Sequence, residues 1–159
     1  MIRNATQEDA DALIRMGAAF FEEAGLAERF TALELPNIEF CPRSFLTTCE
    51  ALAKSGVMLV AEHDGEVVGM LGAAFIPALW NYKVTLAQET WWYVQPDRRK
   101  GLGVALLKEF EDRATAQGVV LSAMVAELGL RGKAVGRLYE AKGYAPAESV
   151  FWKRLGAVH

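Results

Sequence analysis

The sequence predicts an α/β chain of the α+β kind, a mixed sheet with helices packed on it, and three observations carry that expectation. Two β-rich runs, residues 57–62 and 66–76, are separated by His63-Asp64-Gly65, and Asp-Gly is a strong two-residue hairpin turn. A strand-helix-strand passage over 86–126 requires a parallel crossover. Ahead of both, apolar residues recur at helical spacing from Ala10 to Ala24. Antiparallel and parallel pairing in one chain makes the sheet mixed.

Taken in order, Ala10, Leu13, Ile14, Gly17, Phe20, Phe21 and Ala24 define the first helix, behind Thr6 and Asp9 in a capping spacing and closed by Gly25. Residues 26–41 read as irregular. Pro42 at a first-turn position and Gly56 as a C-cap bound a second helix that buries Phe45, Leu46, Cys49 and Leu52. The hairpin follows, then a loop over 77–84 holding Trp80 and Tyr82, and a third strand over 86–94 that ends before Pro96. Residues 102–117 form a helix with Leu107, Phe110 and Ala114 on one face and Gly118 as its stop. A strand over 119–126, a helix over 132–142 stopped by Gly143, and a weakly alternating strand over 149–155 complete the pattern α-α-β-β-β-α-β-α-β. With no linker, repeat or low-complexity run, the expectation is one domain over residues 1–159.

Composition excludes several partners. The chain has 159 residues, 52% of them hydrophobic, and a formal net charge of −3. That is enough apolar chain to bury a core, and no basic block offers a footprint for nucleic acid. The longest nearly uncharged stretch, 69–80, contains Pro77 and is too short to span a bilayer, so no membrane partner is expected. Residues 1–11 already carry Arg3, Glu8, Asp9 and Asp11, so a signal-peptide core is missing. Cys41 and Cys49 lie too far apart along one helix to bridge easily, which fits thiols in a cytoplasmic chain. With those cysteines, His63 and the terminal His159 at no ligand spacing, no metal is expected.

The most informative stretch joins the third strand to the helix after it: Val94-Gln95-Pro96-Asp97-Arg98-Arg99-Lys100-Gly101-Leu102-Gly103. Glycines let the chain turn tightly and bring main-chain N–H groups close to a ligand, and the helix start adds about half a positive charge. Arg98, Arg99 and Lys100 add full charges at an end of the helix that disfavours them, a conflict that an anion would relieve. The combination suits a diphosphate, although the glycines could equally serve a tight turn with solvated cations. Neither nucleotide fingerprint fits: Leu106 stands where the dinucleotide motif needs glycine, and Gly132-Lys133 is followed by Ala134 in place of Ser or Thr.

Arg98-x-x-Gly101-x-Gly103 resembles the Arg/Gln-x-x-Gly-x-Gly/Ala signature of the GCN5-related N-acetyltransferase (GNAT) superfamily, and the run from Gly136 through Leu138-Tyr139-Glu140 to Gly143-Tyr144 resembles that family's later LYEKxGF segment. The likeness covers nearly the whole chain and is strongest to bacterial and phage-encoded members. It departs in two places: only Asp97 separates Pro96 from Arg98, and Gly132 stands where an asparagine often precedes the helix. The resemblance implies an acyl-CoA N-acyltransferase fold, with the sheet splayed between the strands at 86–94 and 119–126. It further implies acetyl-CoA as acyl donor, its diphosphate held by Arg98, Arg99, Lys100, Gly101, Leu102, Gly103 and Val104. Main-chain groups at Trp92, Tyr93 and Val94 would meet its pantetheine amides.

The resemblance also assigns Tyr139 as the acid that protonates the leaving thiolate of CoA. Spacing alone would make it an amphipathic core residue, with Val135, Leu138 and Lys142 on the same face. An alkyl amine acceptor is almost wholly protonated at neutral pH and must lose a proton before attacking a thioester. Glu89 is the best base, lying in an apolar run before the loop where partial burial would strengthen a carboxylate as a base, although it could sit on a solvated face. Glu127 is second, and Glu22 and Glu23 could attract a cationic acceptor or simply be solvated. No Ser/His/Asp or Cys/His arrangement supports a covalent acyl-enzyme, so direct transfer to a small-molecule or peptide amine is expected. A non-catalytic acyl-CoA-binding module, or an acyltransferase of another acyl chain or acceptor, is the alternative. Trp80 and Tyr82 suit a substrate wall or a contact in a homodimer.

Overall fold

The computed structural model describes residues 1–156, and His159 lies outside them. Two units are resolved: residues 1–17 with 42–125, and residues 18–41 with the described residues from 126 onward. The first holds the sheet.

That sheet begins with a strand absent from the expected pattern. Strand β1 (Ile2–Asn4) pairs antiparallel with residues Leu59 to Ala61, and Arg3 holds Asp9 through Nη1 and Nη2 at 2.7 and 2.8 Å. The same carboxylate accepts the Thr6 N–H at 2.7 Å, which fixes the entry to helix α1 (Ala10–Glu23). Gly25 follows it with φ 65°, as the stop signal requires. Helix α2 (Leu26–Ala32) occupies a segment expected to be irregular. Seven residues are too few to show a periodicity, and tertiary contacts described below hold them. Helix α3 (Pro42–Ser55) buries Phe45, Cys49 and Leu52 but leaves Leu46 half-buried.

Gly56 does not cap α3; it opens strand β2 (Gly56–His63), where a Cβ would fall 2.2 Å from the carbonyl oxygen of Ala73. Asp64 and Gly65 both take positive φ, 53° and 79°, the pair that a tight hairpin needs, and lead into β3 (Glu66–Ala78). The loop expected over 77–84 is replaced by a second hairpin, because only Leu79 and Trp80 separate Ala78 from the start of β4 (Asn81–Val94). Pro77 is tolerated in β3 because β2 begins opposite Ala74, so beyond that point β3 is an edge on its β2 side. The tip carries Leu79, Trp80 and Tyr82, all exposed.

Helix α4 (Arg99–Ala116) is interrupted at Lys100 and Gly101, so its continuous part covers 102–116, and Gly118 ends it with φ 77°. The strand expected over 119–126 shrinks to β5 (Leu121–Ala123), which pairs parallel with β4 only from Leu86 to Gln88. Sheet order is β1-β2-β3-β4-β5, antiparallel except for the last pair. Gly69 and Gly72, three residues apart on β3, look out of opposite faces: a Cβ at Gly69 would meet Leu106 of α4, and one at Gly72 would meet Leu52 of α3. The sheet is thus covered on both sides, and Met58, Leu59, Val60, Met70, Leu71 and Phe110 are fully buried between the layers.

The second unit holds α2 on its first segment and helix α5 (Gly132–Ala141) on its second. Arg29 of α2 pairs with Glu127 and donates to the carbonyl of Ala24 at 2.6 Å, while Phe30 stacks on Trp152 at 5.6 Å between ring centroids. Residues 149–155, expected as a strand, are not one: among the described residues after α5 no strand forms.

Candidate functional site

The geometry of interest begins with an irregularity in β4. Gly72 pairs with Trp91 and Ala73 with Glu89, so Thr90 is an extra residue, a bulge that bends the strand. Just before it the pairing with β5 stops, at Gln88 opposite Ala123, while β4 runs on through Glu89 to Val94. Glu89 Oε2 accepts the main-chain N–H of Val125 at 2.8 Å, and the residue is only 6% exposed. The two strands therefore part at Glu89, which answers the expected splay and shows why β5 is short.

Past the bulge, Trp91 packs on Phe45 of α3 with ring centroids 4.5 Å apart, and its Nε1 is buried with no hydrogen-bond partner. Trp92 lies against the first turn of α4, where a Cβ on Gly103 would fall 3.2 Å from its Cζ2. Tyr93 and Val94 are buried. Gln95 N–H donates to the carbonyl of Val68 and Arg98 N–H to that of Gln95, both at 2.9 Å, which turns the chain through a short 3-10 segment, Pro96–Arg98.

The three cations of the loop do different things. Arg99 braces it, with Nε donating to the carbonyl of Val94 at 2.9 Å and its guanidinium 5.6 Å above the Tyr93 ring. Arg98 and Lys100 instead line an open depression of about 420 Å³ together with Gly101, Leu102 and Ala105. Gly101, at φ 77°, occupies the left-handed region, and nothing lies within 4 Å of where a Cβ would be; backbone conformation, not crowding, makes it glycine. Leu102, Gly103 and Val104 form the first turn of the continuous helix and are half-buried. A positive helix end, two cations and a glycine turn open to the surface fit a diphosphate. A strand freed from its neighbour just before that turn fits an extended amide-bearing arm.

Tyr139 belongs to the second unit. It lies on α5, 6% exposed, with its ring 5.4 Å from that of Tyr144, whose N–H donates to the Tyr139 carbonyl past Gly143 at φ 91°. Glu127 is in the same unit and is engaged by Arg29, which makes it a poorer base than its position at a strand end suggested. Glu22 is exposed. Sequence reasoning missed His63, the last residue of β2, which lines the same depression as Arg98 and Lys100. A histidine beside a turn carries no signal of what the turn faces. Among the described residues no group of three or more His, Cys, Asp or Glu side chains could hold a metal ion, and no helix is long and apolar enough to cross a membrane.

Residues 12–144 match the family model of the acetyltransferase (GNAT) family. Among solved structures, a predicted acetyltransferase with acetyl-CoA from Clostridium acetobutylicum is similar at 18% identity and a TM-score of 0.72, over 98% of this chain and 95% of that one. A GCN5-related N-acetyltransferase from Ralstonia eutropha is similar at 23% identity and a TM-score of 0.72, over 98% and 99%. An aminoglycoside acetyltransferase from an uncultured soil metagenomic sample gives 17% and 0.70, over 98% of each chain. At these identities the structures share the fold, while the family match spans most of the chain. The chain belongs to the GNAT acetyltransferase family and is an acetyl-CoA-dependent N-acetyltransferase.

Proposed function

We propose that the chain transfers the acetyl group of acetyl-CoA directly to the amine of a small molecule or peptide. The observation that supports this best is the parting of β4 from β5 at Glu89, immediately before the glycine turn at the start of α4. In this reading the diphosphate rests on the loop at Arg98, Lys100 and Gly101 to Val104, and main-chain groups at Trp92, Tyr93 and Val94 take the pantetheine amides. Arg99 shapes the loop from below.

Glu89 receives the proton that the ammonium acceptor gives up, directly or through a water. The neutral amine nitrogen then attacks the thioester carbonyl carbon; the C–N bond forms and the C–S bond breaks. The sulfur leaves as a thiolate and takes its proton from the Tyr139 hydroxyl; the nitrogen gives up its second proton as the C–S bond breaks, and that proton, passed through water, restores the phenol. No acyl-enzyme is formed. Release of CoA from acetyl-CoA against a panel of alkylamines, aminoglycosides and peptide N-termini tests the reading. Amine-dependent release with stoichiometric acetylated product supports it; saturable acetyl-CoA binding without transfer to any amine would favour a binding module.

A further inference from the structure

Within the second unit, one guanidinium ties the end of α1 to the turn that precedes α5. Arg29 pairs through Nη1 with the Glu127 carboxylate, and its Nη2 donates to the Ala24 carbonyl at 2.6 Å. The planar fork of an arginine holds both acceptors at once, which the point charge of a lysine does not. Gly129 meets the same carbonyl: a Cβ there would fall 1.9 Å from the Ala24 oxygen, so the turn admits no side chain at that point. From Glu127 the constraint passes to α5 through the main chain. The Glu127 carbonyl accepts the Leu130 N–H at 3.0 Å, and a Cβ on Gly132, the first residue of α5, would lie 3.0 Å from that same oxygen. The Arg131 carbonyl then accepts the N–H groups of Ala134 and Val135 at 2.8 and 3.1 Å, which closes the first turn of the helix.

We infer that Arg29 is a positioning residue for acetyl transfer: by clamping the 127–132 turn to Ala24 it fixes the near end of α5, and with it the place from which Tyr139 offers its hydroxyl. The inference rests on the reading of Tyr139 as the acid. A helix of ten residues does not hold itself in place, so contacts at its ends decide where it lies. The far end is held by Tyr144, through its ring and through its N–H on the Tyr139 carbonyl at 3.0 Å. The near end is held by the turn that Arg29 grips, about two helical turns before Tyr139. Both side chains of the Arg29 and Glu127 pair are partly exposed, and α2 has no fully buried residue, so the pair contributes little to stability. Its effect is on geometry, to which proton transfer is sensitive: a displacement of about 1 Å can cost up to about 10²-fold in rate.

The test is a double-mutant cycle on the full chain, Arg29→Ala with Tyr139→Phe. It reads CoA release from acetyl-CoA with the fastest amine of the alkylamine, aminoglycoside and peptide panel, together with hydrogen exchange of the main-chain amides. Arg29→Ala should lower kcat roughly tenfold and leave KM for acetyl-CoA within about twofold, and Arg29→Lys should recover part of the rate. In the Tyr139→Phe background the loss of Arg29 should cost no more than about twofold, because the group it positions is gone. Exchange should quicken over 132–141 and stay unchanged over 56–78. Equal losses in the two backgrounds, an unchanged or faster rate in Arg29→Ala, or exchange that quickens over 56–78 as well would overturn the positioning function and leave Tyr139 as the acid. Transfer to no amine, or no effect of Tyr139→Phe, would remove the reading on which this one rests, and this one with it.

Discussion

Glu89 and Val125 are joined across the opening of the sheet: the carboxylate Oε2 accepts the Val125 N–H at 2.8 Å, one residue past the last β4 to β5 pair on β4 and two past it on the β5 side. The bond replaces the next rung of the ladder and lets β4 continue alone to the loop. It also gives Glu89 two separable functions, a strut and the proposed base. A glutamine keeps an acceptor for Val125 but cannot take a proton. Glu89→Gln should therefore retain the thermal midpoint within a few degrees and lower acetyl transfer by roughly 10²-fold. Glu89→Ala should lower both, since it removes the carboxylate that accepts the Val125 N–H. An unchanged rate in Glu89→Gln would leave the residue as a strut alone.

Tyr139→Phe removes only the hydroxyl and keeps the ring against Tyr144. Acetyl transfer should fall by roughly 10²-fold while the affinity for acetyl-CoA stays within about twofold. Equal rates in the two proteins would take Tyr139 out of the mechanism.

Gly101 holds φ 77°, which a side chain adopts only at a cost of about 1–2 kcal/mol. Gly101→Val should weaken acetyl-CoA binding at least tenfold, measured by titration, with little loss of secondary structure by circular dichroism. The helix resumes at residue 102 whatever the loop does.

Asp9 links stability to pH. Hydrogen bonds from Arg3, then from Thr6, hold its carboxyl at about 2, below the ordinary value of 3.8, against the opposing effect of burial. Because the folded value is the lower one, the stabilisation is complete above about pH 4 and is lost as pH falls towards 2. It amounts to about 2 kcal/mol at neutral pH. Urea titrations between pH 7 and pH 2 should show this loss in the wild type and a shallower dependence in Asp9→Asn, which starts less stable.

The two cysteines should react unequally. Burial pushes the Cys49 thiol up to about 12, whereas Cys41 is exposed. Under native conditions a maleimide should modify Cys41 alone, and Cys49 only after denaturation. Rapid labelling of both in the native state would contradict the packing of α3.

What could be read in the sequence is what local chemistry dictates. Asp64-Gly65 specifies its turn by itself, Gly118 and Gly143 stop their helices, and the loop from Arg98 to Gly103 announces its charge and its freedom to turn. What could not be read depends on distant partners. Strand β1 is three residues long and exists because β2 is there to pair with it. Helix α2 is held by Arg29 on Glu127 and Phe30 on Trp152, neither visible at short range. The alternation over 149–155 predicted a strand, but alternation without a neighbouring strand makes none. At the site, Glu89 was legible as a carboxylate in an apolar run, yet its bond to Val125 and the bulge at Thr90 were not. His63 was passed over because only the fold places it beside Arg98 and Lys100.

The proposal that the Gln95 to Val104 loop holds the diphosphate of acetyl-CoA is open to a direct measurement, isothermal titration of acetyl-CoA into the wild-type chain. A single saturable site, weakened by Gly101→Val and competed by CoA, is the expected result. The absence of binding at millimolar acetyl-CoA would contradict it.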